Sequence, residues 1–413
     1  MTPIPAIPDV TGTTPWASFA GRVATDPVRC VDLDAEPEAL VTGTWFVVAD
    51  FEGRARAWQF ATVLPAPATL GEDDVVDHPA SSGTPALPSV REPRSGVGSR
   101  APDPWTGPDR RSWTSSLDRA AYEAAVRRIR EHVREGDVYQ ANLCRVLSAP
   151  LPARRGVAGP GEPDARALAA RLAAGNPAPH AAAIHVPAGT RGAGGRELDP
   201  VWVVSASPEL FLSVAPGPEG RNAVVTSGPI KGTARTPEGL TDKDRAENVM
   251  ITDLVRNDLQ HVCLPGTVEV SELLAVEHHP GLVHLVSRVR GVLSDDVAAA
   301  PDTWRHLLSA TFPPGSVSGA PKSSALRIIG ELEPVPRGPY CGAIGWVDGD
   351  AGTASLAVGI RTFWWERGAD DHGVLRFGTG AGITWGSDPA AEWRETELKA
   401  ERLVGLASSG RAG

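Results

Sequence analysis

Lysine is scarce in this chain. Of 40 basic residues only four, Lys231, Lys243, Lys322 and Lys399, are not arginine. Arginine keeps its charge, with a pKa above about 12, and cannot stand in for a neutral amine. The surviving lysines are therefore enriched for places where an amine matters, although ordinary packing also retains them. Cysteine is sparse too: Cys30, Cys144, Cys263 and Cys341 lie far apart and form no CxxC pair. That spacing argues against a zinc site or a disulfide framework and fits reduced thiols. No stretch approaches the about 18 apolar residues of a membrane span, and the first residues lack the pattern of a signal peptide. A cytoplasmic protein without membrane attachment is expected. Nor is there a basic excess. The net charge of −10 argues against a nucleic-acid partner or anionic lipid, while leaving room for a local basic pocket. The GxxxxGK[ST] phosphate loop and internal repeats are missing as well.

What is present is an ordinary globular composition. Hydrophobic residues make up 41% of 413, enough for a sizeable core. Residues 1–64 read as a strand-rich N-terminal subdomain. A Pro/Gly-rich linker or mobile insertion follows at 65–112, then a catalytic domain at 113–406 and a flexible tail at 407–413. Two Gly/Pro/Arg-rich stretches, 154–164 and 187–200, read as surface loops. Asp118 can cap a helix carrying Tyr122, Val126, Ile129 and Val133, which Gly136 ends. Further helices are expected over 242–262 and from Pro389 to about 404. Strands are expected at 138–147, 200–214, 340–347, 354–362 and 375–384. The absence of a strict βαβ rhythm favours an α+β fold with antiparallel sheets.

Three features carry possible chemistry. Glu247, Ile251, Leu254 and Asp258 share one helix face, and Glu392, Glu395 and Lys399 share another. A solvated charged face explains this spacing, as does a pair of carboxylates converging on a hard cation such as Mg²⁺. Gly378-Thr-Gly-Ala-Gly382 and Gly315-Ser-Val-Ser-Gly-Ala-Pro-Lys322 allow backbone N–H groups to approach an anion, or simply make a tight turn and a helix entry. In Ser227-Gly-Pro-Ile-Lys-Gly-Thr233, Lys231 would be shielded on one side and open on the other. Such a position lowers an amine's pKa, though a turn lysine fits equally.

Taken in order, these segments resemble the chorismate-binding family, which includes anthranilate, aminodeoxychorismate, isochorismate and salicylate synthases. The resemblance rests on Gly136-Asp-Val-Tyr-Gln-Ala-Asn-Leu143, Ser207-Pro-Glu-Leu-Phe211 and Pro229-Ile-Lys-Gly-Thr233. It continues with Asp244-Arg-Ala-Glu-Asn-Val-Met250, Asp253-Leu-Val-Arg-Asn-Asp258, His284-Leu-Val-Ser287 and Phe312-Pro-Pro-Gly-Ser-Val-Ser-Gly-Ala-Pro-Lys322. Gly380-Ala-Gly-Ile383, Ser387-Asp-Pro389, Glu395-Thr396 and Lys399-Ala400 complete it. It implies the anthranilate synthase component I-like α+β fold, with antiparallel sheets packed as a sandwich and flanking helices.

The resemblance also implies roles. Glu247 and Glu395 match the glutamates that hold Mg²⁺, and Arg361 the carboxylate-binding arginine. Gly232, Thr233, His284, Tyr340, Gly380, Ala381, Gly382 and Lys399 match other substrate contacts. Glu209 matches the general acid for the departing C4 hydroxyl. Water-adding members carry Lys where this chain has Gln140, and Gln cannot be that base. Anthranilate-forming members carry Ala where this chain has Lys231. The implied activity is that of aminodeoxychorismate synthase component I, with Lys231 as nucleophile, serving p-aminobenzoate for folate or a secondary metabolite. No Gly-x-Cys-x-Gly glutaminase segment is present, so the expected ammonia source is a glutamine amidotransferase partner or solution. An anthranilate-forming enzyme and a non-catalytic chorismate-binding paralogue are the alternatives. The chain departs from the family pattern at Ala234-Arg-Thr-Pro237 and Trp385, and it lacks a recognisable tryptophan-pocket motif.

Overall fold

The computed structural model describes residues 14–64, 105–152, 161–217, 222–279, 282–368 and 372–409, without the side chains of Thr233, His279 and Leu282. The expected linker lies outside the described residues up to position 104, as do 154–160 of one expected loop and the tail from 410.

Eighteen strands join in one continuous sheet. From Gln140–Pro150 it passes antiparallel through Gly373–Ile383, Thr362–Arg367, Val201–Ser207, His180–Val186 and Trp16–Phe19. Arg22–Asp32, Ala55–Leu64, Thr44–Ala49, Ala343–Asp348, Thr353–Val358 and Leu210–Ala215 follow. Val224–Gly228, Leu282–Val292 and Glu269–His279 complete the run. Alternation along each strand sends neighbouring side chains to different cores. Ala182, Ile184 and Val203 pack with Val47, Ile344 and Leu356, which belong to the other half of the sheet. Ala183, Trp202 and Val204 face the opposite way, toward Trp16, Phe363 and Phe377. The sheet thus folds over on itself as a sandwich with helices outside, the α+β architecture that the sequence led us to expect.

Local signals account for several elements. Asp118 accepts the Ala121 N–H and Gly136 closes the helix Arg119–Glu135 in the left-handed region (φ 84°). Helix Asp242–Gln260 opens with a reciprocal cap between Thr241 and Asp244. Helix Pro389–Ala407 begins on an Asp388 cap.

Two expectations need correction. The single strand expected at 200–214 is two, Val201–Ser207 and Leu210–Ala215, broken at Pro208 and Glu209. Pro208 has no N–H for the ladder. The pieces pair with different halves of the sandwich. The strand expected at 354–362 breaks likewise, into Thr353–Val358 and Thr362–Arg367, with Arg361 at φ +53° between them. These crossings run side by side: Ala206 N–H donates to the Arg361 carbonyl, and Val358 N–H to that of Glu209. Glu209 and Arg361 therefore sit where the chain passes between halves.

Arg337 ties strand Gln140–Pro150 to the Gly315–Val317 turn. It is 1% exposed and forks onto Glu333 at 2.6 and 2.8 Å. Two more of its N–H groups donate to the carbonyls of Val317 and Asn142, both at 2.8 Å. Arg337→Met would leave the buried Glu333 carboxylate uncompensated. A loss of about 3–5 kcal/mol in unfolding free energy is expected from the denaturant midpoint; unchanged stability would refute this role.

Candidate active site

Lys231 lies on the strand Ile230–Ala234, which pairs with Leu282–Val292 through a register shift between Ile230 and Thr233. Such a shift re-aims a side chain, and Gly232 permits it at φ +82°. A Cβ there would stand 2.7 Å from that of Asp244. The half-buried Lys231 amine donates to the Ser316 carbonyl at 2.8 Å. Burial pushes its pKa down, Lys399 adds to that, and the nearby carboxylates of Glu247, Glu209 and Glu395 oppose it. Glu209, 3% exposed, is pushed up to about 7 by burial, against the pull of Ser316, Lys231 and Arg361. A lowered amine and a raised carboxyl thus face each other, the arrangement of an acid and a base working near neutrality.

Two helices bring the other carboxylates. Glu247, from Asp242–Gln260, is raised by burial and by Glu395 and Glu392, which outweigh Lys231 and Lys243. Glu395 is also pushed up by burial, but Lys399 at 2.7 Å, with Lys243 and Lys231, holds it below the ordinary carboxylate range. Lys399 also donates to the Gly380 carbonyl at 3.0 Å. Lys243 bridges Glu247 at 3.6 Å and Glu392 at 3.3 Å. Oε1 of Glu247 and Oε2 of Glu392 are buried without a hydrogen-bond partner. All-oxygen donors with unpaired lone pairs suit a hard divalent cation. The three do not form a tight cage: the trio of possible ligands within 4.8 Å of one another among the described residues is His132, Glu135 and Asp137. That group pairs His132 with Asp137 at a helix end, and two of its members are exposed.

The remaining expected residues surround this centre to different degrees. The Arg361 guanidinium is lowered by burial and lies within the field of Glu209. His284 is buried opposite Thr233 on the neighbouring strand. Gly380, Ala381 and Gly382 lie in the strand Gly373–Ile383, opposite Cys144, Leu143 and Asn142. The Gly378–Gly382 segment is therefore neither a turn nor an anion loop. Its glycines make room, since a Cβ at 378, 380 or 382 would come within 2.0, 2.5 or 2.6 Å of Tyr340, Cys144 or Gln140. Tyr340 is buried against Gly378, and its hydroxyl accepts from the Cys144 thiol at 3.8 Å. Gln140 is fully buried, and both polar atoms of its amide lack partners.

Glu392 was not among the expected site residues. Its signal was present, because it shares a face with Glu395, but spacing alone did not separate it from a solvated residue. Three of the four lysines gather here, whereas Lys322 pairs with Asp258 at 2.8 Å.

Residues 91–405 match the family described as chorismate binding enzymes. Over 304 residues the chain is 40% identical to anthranilate synthase component 1 of Streptomyces coelicolor, covering 71% of this chain and 52% of that protein. It is 36% identical over 306 residues to aminodeoxychorismate synthase component 1 of Klebsiella aerogenes, covering 71% and 59%. The chain thus spans between half and three-fifths of the length of these two curated relatives. Among solved structures, a putative 2,3-dihydroxybenzoate-specific isochorismate synthase of Bacillus anthracis shares the fold, with TM-score 0.67, 20% identity, and 96% of this chain and 97% of that one covered. Anthranilate synthase component I of Streptococcus pneumoniae does so with TM-score 0.64, 22% identity, and 98% and 94% covered.

Lys243 offsets two carboxylates from a half-exposed position, so its contribution is screened to about 1 kcal/mol or less. Lys243→Met is expected to lower the thermal midpoint at pH 8 and to leave it nearly unchanged near pH 4. The raised pKa of Glu247 means that repulsion in the folded state appears only as pH climbs through the carboxylate range. Equal losses at both pH values would exclude electrostatics as the cause.

Proposed function

The chain belongs to the chorismate-binding enzyme family, and we propose that it is the aminodeoxychorismate-forming type within it. The observation that carries this reading is Lys231. A pKa-lowered amine stands among Glu209, Glu247 and Glu395 in a Pro-Ile-Lys-Gly-Thr segment. The Lys231 amine, as its free base, attacks C2 of chorismate while the ring double bonds shift and the C4 hydroxyl departs. Glu209 gives that hydroxyl its proton, so water leaves. Ammonia then adds at C4, the double bonds shift back, and Lys231 is released as 4-amino-4-deoxychorismate forms. One difficult substitution becomes two easier ones.

Chorismate is a dianion, and the Arg361 guanidinium and the Lys399 side chain are the cationic groups offered to it. Glu247 and Glu395, with Glu392 beside them, are the residues that would hold Mg²⁺, which when bound supplies countercharge for a substrate carboxylate. The ammonia source in this reading is a separate glutamine amidotransferase, or ammonium in solution.

A second reading has direct support: the 40% identity to an anthranilate synthase component 1 favours an anthranilate-forming enzyme on the same scaffold. Incubation with chorismate, Mg²⁺ and ammonium separates the two by product. Aminodeoxychorismate is expected, and fluorescent anthranilate would overturn the choice. Lys231→Ala should abolish product formation; a wild-type rate in that variant would sink the nucleophile assignment. With Glu209 acting in its protonated form, kcat/KM should fall as pH rises through about 7. Glu209→Gln should lose about 10²–10⁴-fold and the limb with it. Chelation of divalent ions should stop turnover, and added Mg²⁺ should restore it.

A further inference from the structure

Arg145 is a buried cation that the proposed chemistry does not use. It lies on the strand Gln140–Pro150 and is 5% exposed, and no carboxylate among the described residues forms a salt bridge with it. Burial pushes its pKa down, and Glu397, Tyr122 and Tyr340 offset that only in part. A charge kept from water without a counter-ion destabilises the fold, and an apolar side chain of similar length would avoid the cost. Its contacts point to another role. Nε donates to Thr396 Oγ1 at 3.0 Å, a terminal nitrogen donates to Ser115 Oγ at 3.2 Å, and the central carbon stands 4.0 Å from the centre of the Trp393 ring. Thr379, opposite Arg145 on the neighbouring strand, donates to the Thr396 carbonyl at 2.9 Å. The two side chains thus grip one turn of helix Pro389–Ala407 from the strands beneath it.

Glu392 and Glu395 directly precede the gripped residues Trp393 and Thr396. The far end of the helix is held by other bonds, since Arg402 donates to the Gly175 carbonyl and Trp105 to that of Ala407, both at 2.7 Å. Arg145 therefore acts on the carboxylate-bearing half. Side-chain ends stand about 5–6 Å from a helix axis, so a rotation of about 20° moves them by about 2 Å. Mg²⁺ holds its oxygens at about 2.0–2.1 Å in nearly octahedral geometry, and a displacement of that size takes a carboxylate out of reach. Glu247 comes from the other helix, Asp242–Gln260, so the rotation of Pro389–Ala407 sets the spacing between the two sets of carboxylates.

We propose that Arg145 is a positioning residue for the divalent-cation site: by holding Trp393 and Thr396 it fixes the rotation of helix Pro389–Ala407, and with it the reach of Glu392 and Glu395 toward Glu247. This rests on the Mg²⁺ reading above. Arg145 touches neither cation nor substrate, and it acts through the helix alone. A packing role and a positioning role differ in what the loss of Arg145 does. Arg145→Met strands no partner charge, and the hydroxyls of Thr396 and Ser115 keep their bonds to the carbonyls of Trp393 and Leu117. The fold is therefore expected to persist while the cation site loosens.

The test titrates Mg²⁺ into the full chain without substrate, by calorimetry, and measures the Mg²⁺ half-saturation of turnover at saturating chorismate and ammonium. In Arg145→Met both are expected to weaken by about 10–100-fold, the range seen when residues that orient metal ligands are lost. With Mg²⁺ saturating, kcat should return close to wild type, and the thermal midpoint should stay near it. Arg145→Lys, which keeps a cation and a donor, should recover most of the affinity. Thr396→Val removes the acceptor and should weaken Mg²⁺ in the same direction. A folded Arg145→Met with wild-type Mg²⁺ affinity overturns the proposal. If that variant does not fold, unchanged affinity in Thr396→Val overturns it instead. Anthranilate as product would sink the aminodeoxychorismate reading and leave the positioning role standing. A wild-type chain that binds no Mg²⁺ and turns over without it would remove the cation reading and this role together.

Discussion

The Arg337 guanidinium is the interaction on which the placement of the site depends. It is almost wholly out of water, where a lone cation is strongly disfavoured, so its charge must be matched. Glu333 takes two of its five N–H groups, and the same carboxylate accepts the Cys144 N–H at 2.8 Å. Two more reach carbonyls of strand Gln140–Pro150 and of the Gly315–Val317 turn. Phe51, from the turn between strands Thr44–Ala49 and Ala55–Leu64, lies against the guanidinium at 4.1 Å. One side chain thereby joins three distant parts of the chain. The turn it fixes presents the Ser316 carbonyl to Lys231. The amine's direction is therefore set by a residue about a hundred positions away.

The second constraint is charge. Four carboxylates and three amines converge, and each modifies its neighbours. Lys399 sits on Glu395 of its own helix, Lys243 bridges the glutamates of both helices, and Lys231 stands among both sets. Attraction alone would leave every group ionised. Burial competes with it, and the outcome differs by position: Glu209, the most enclosed, is raised to about 7, whereas Glu395, half open and salt-bridged, is lowered. Environment, more than residue type, separates the raised carboxyl from the lowered one.

Much of this was legible in the sequence where the cause is local. Asp118, Gly136, the Thr241–Asp244 cap and Pro389 bound their helices as their chemistry requires. Lysine scarcity pointed at the site because arginine cannot do an amine's work, and Lys322 shows the limit of that signal. The breaks at Glu209 and Arg361 were not read from the sequence, although Pro208 marks the first of them locally. Both stretches are otherwise largely strand-like, and what divides them is also a transfer between sheet halves, a long-range event. Glu392 was missed for a related reason. Helical spacing places it beside Glu395, but only the packing of helix Pro389–Ala407 makes one buried and leaves the other half open.

Gln140 shows how backbone and side chain are matched in the floor of the site. The residue sits under Gly382, whose missing side chain is the space its amide occupies. Both polar atoms of that amide lack a partner, which makes it an expensive group to bury. A lysine in the same place would add a fourth amine to the three already present and would favour a deprotonated, water-activating form through burial. The neutral amide does neither. It leaves Lys231 as the amine whose pKa burial has lowered, and the glycines of the adjoining strand are what allow a side chain of that length to lie there at all.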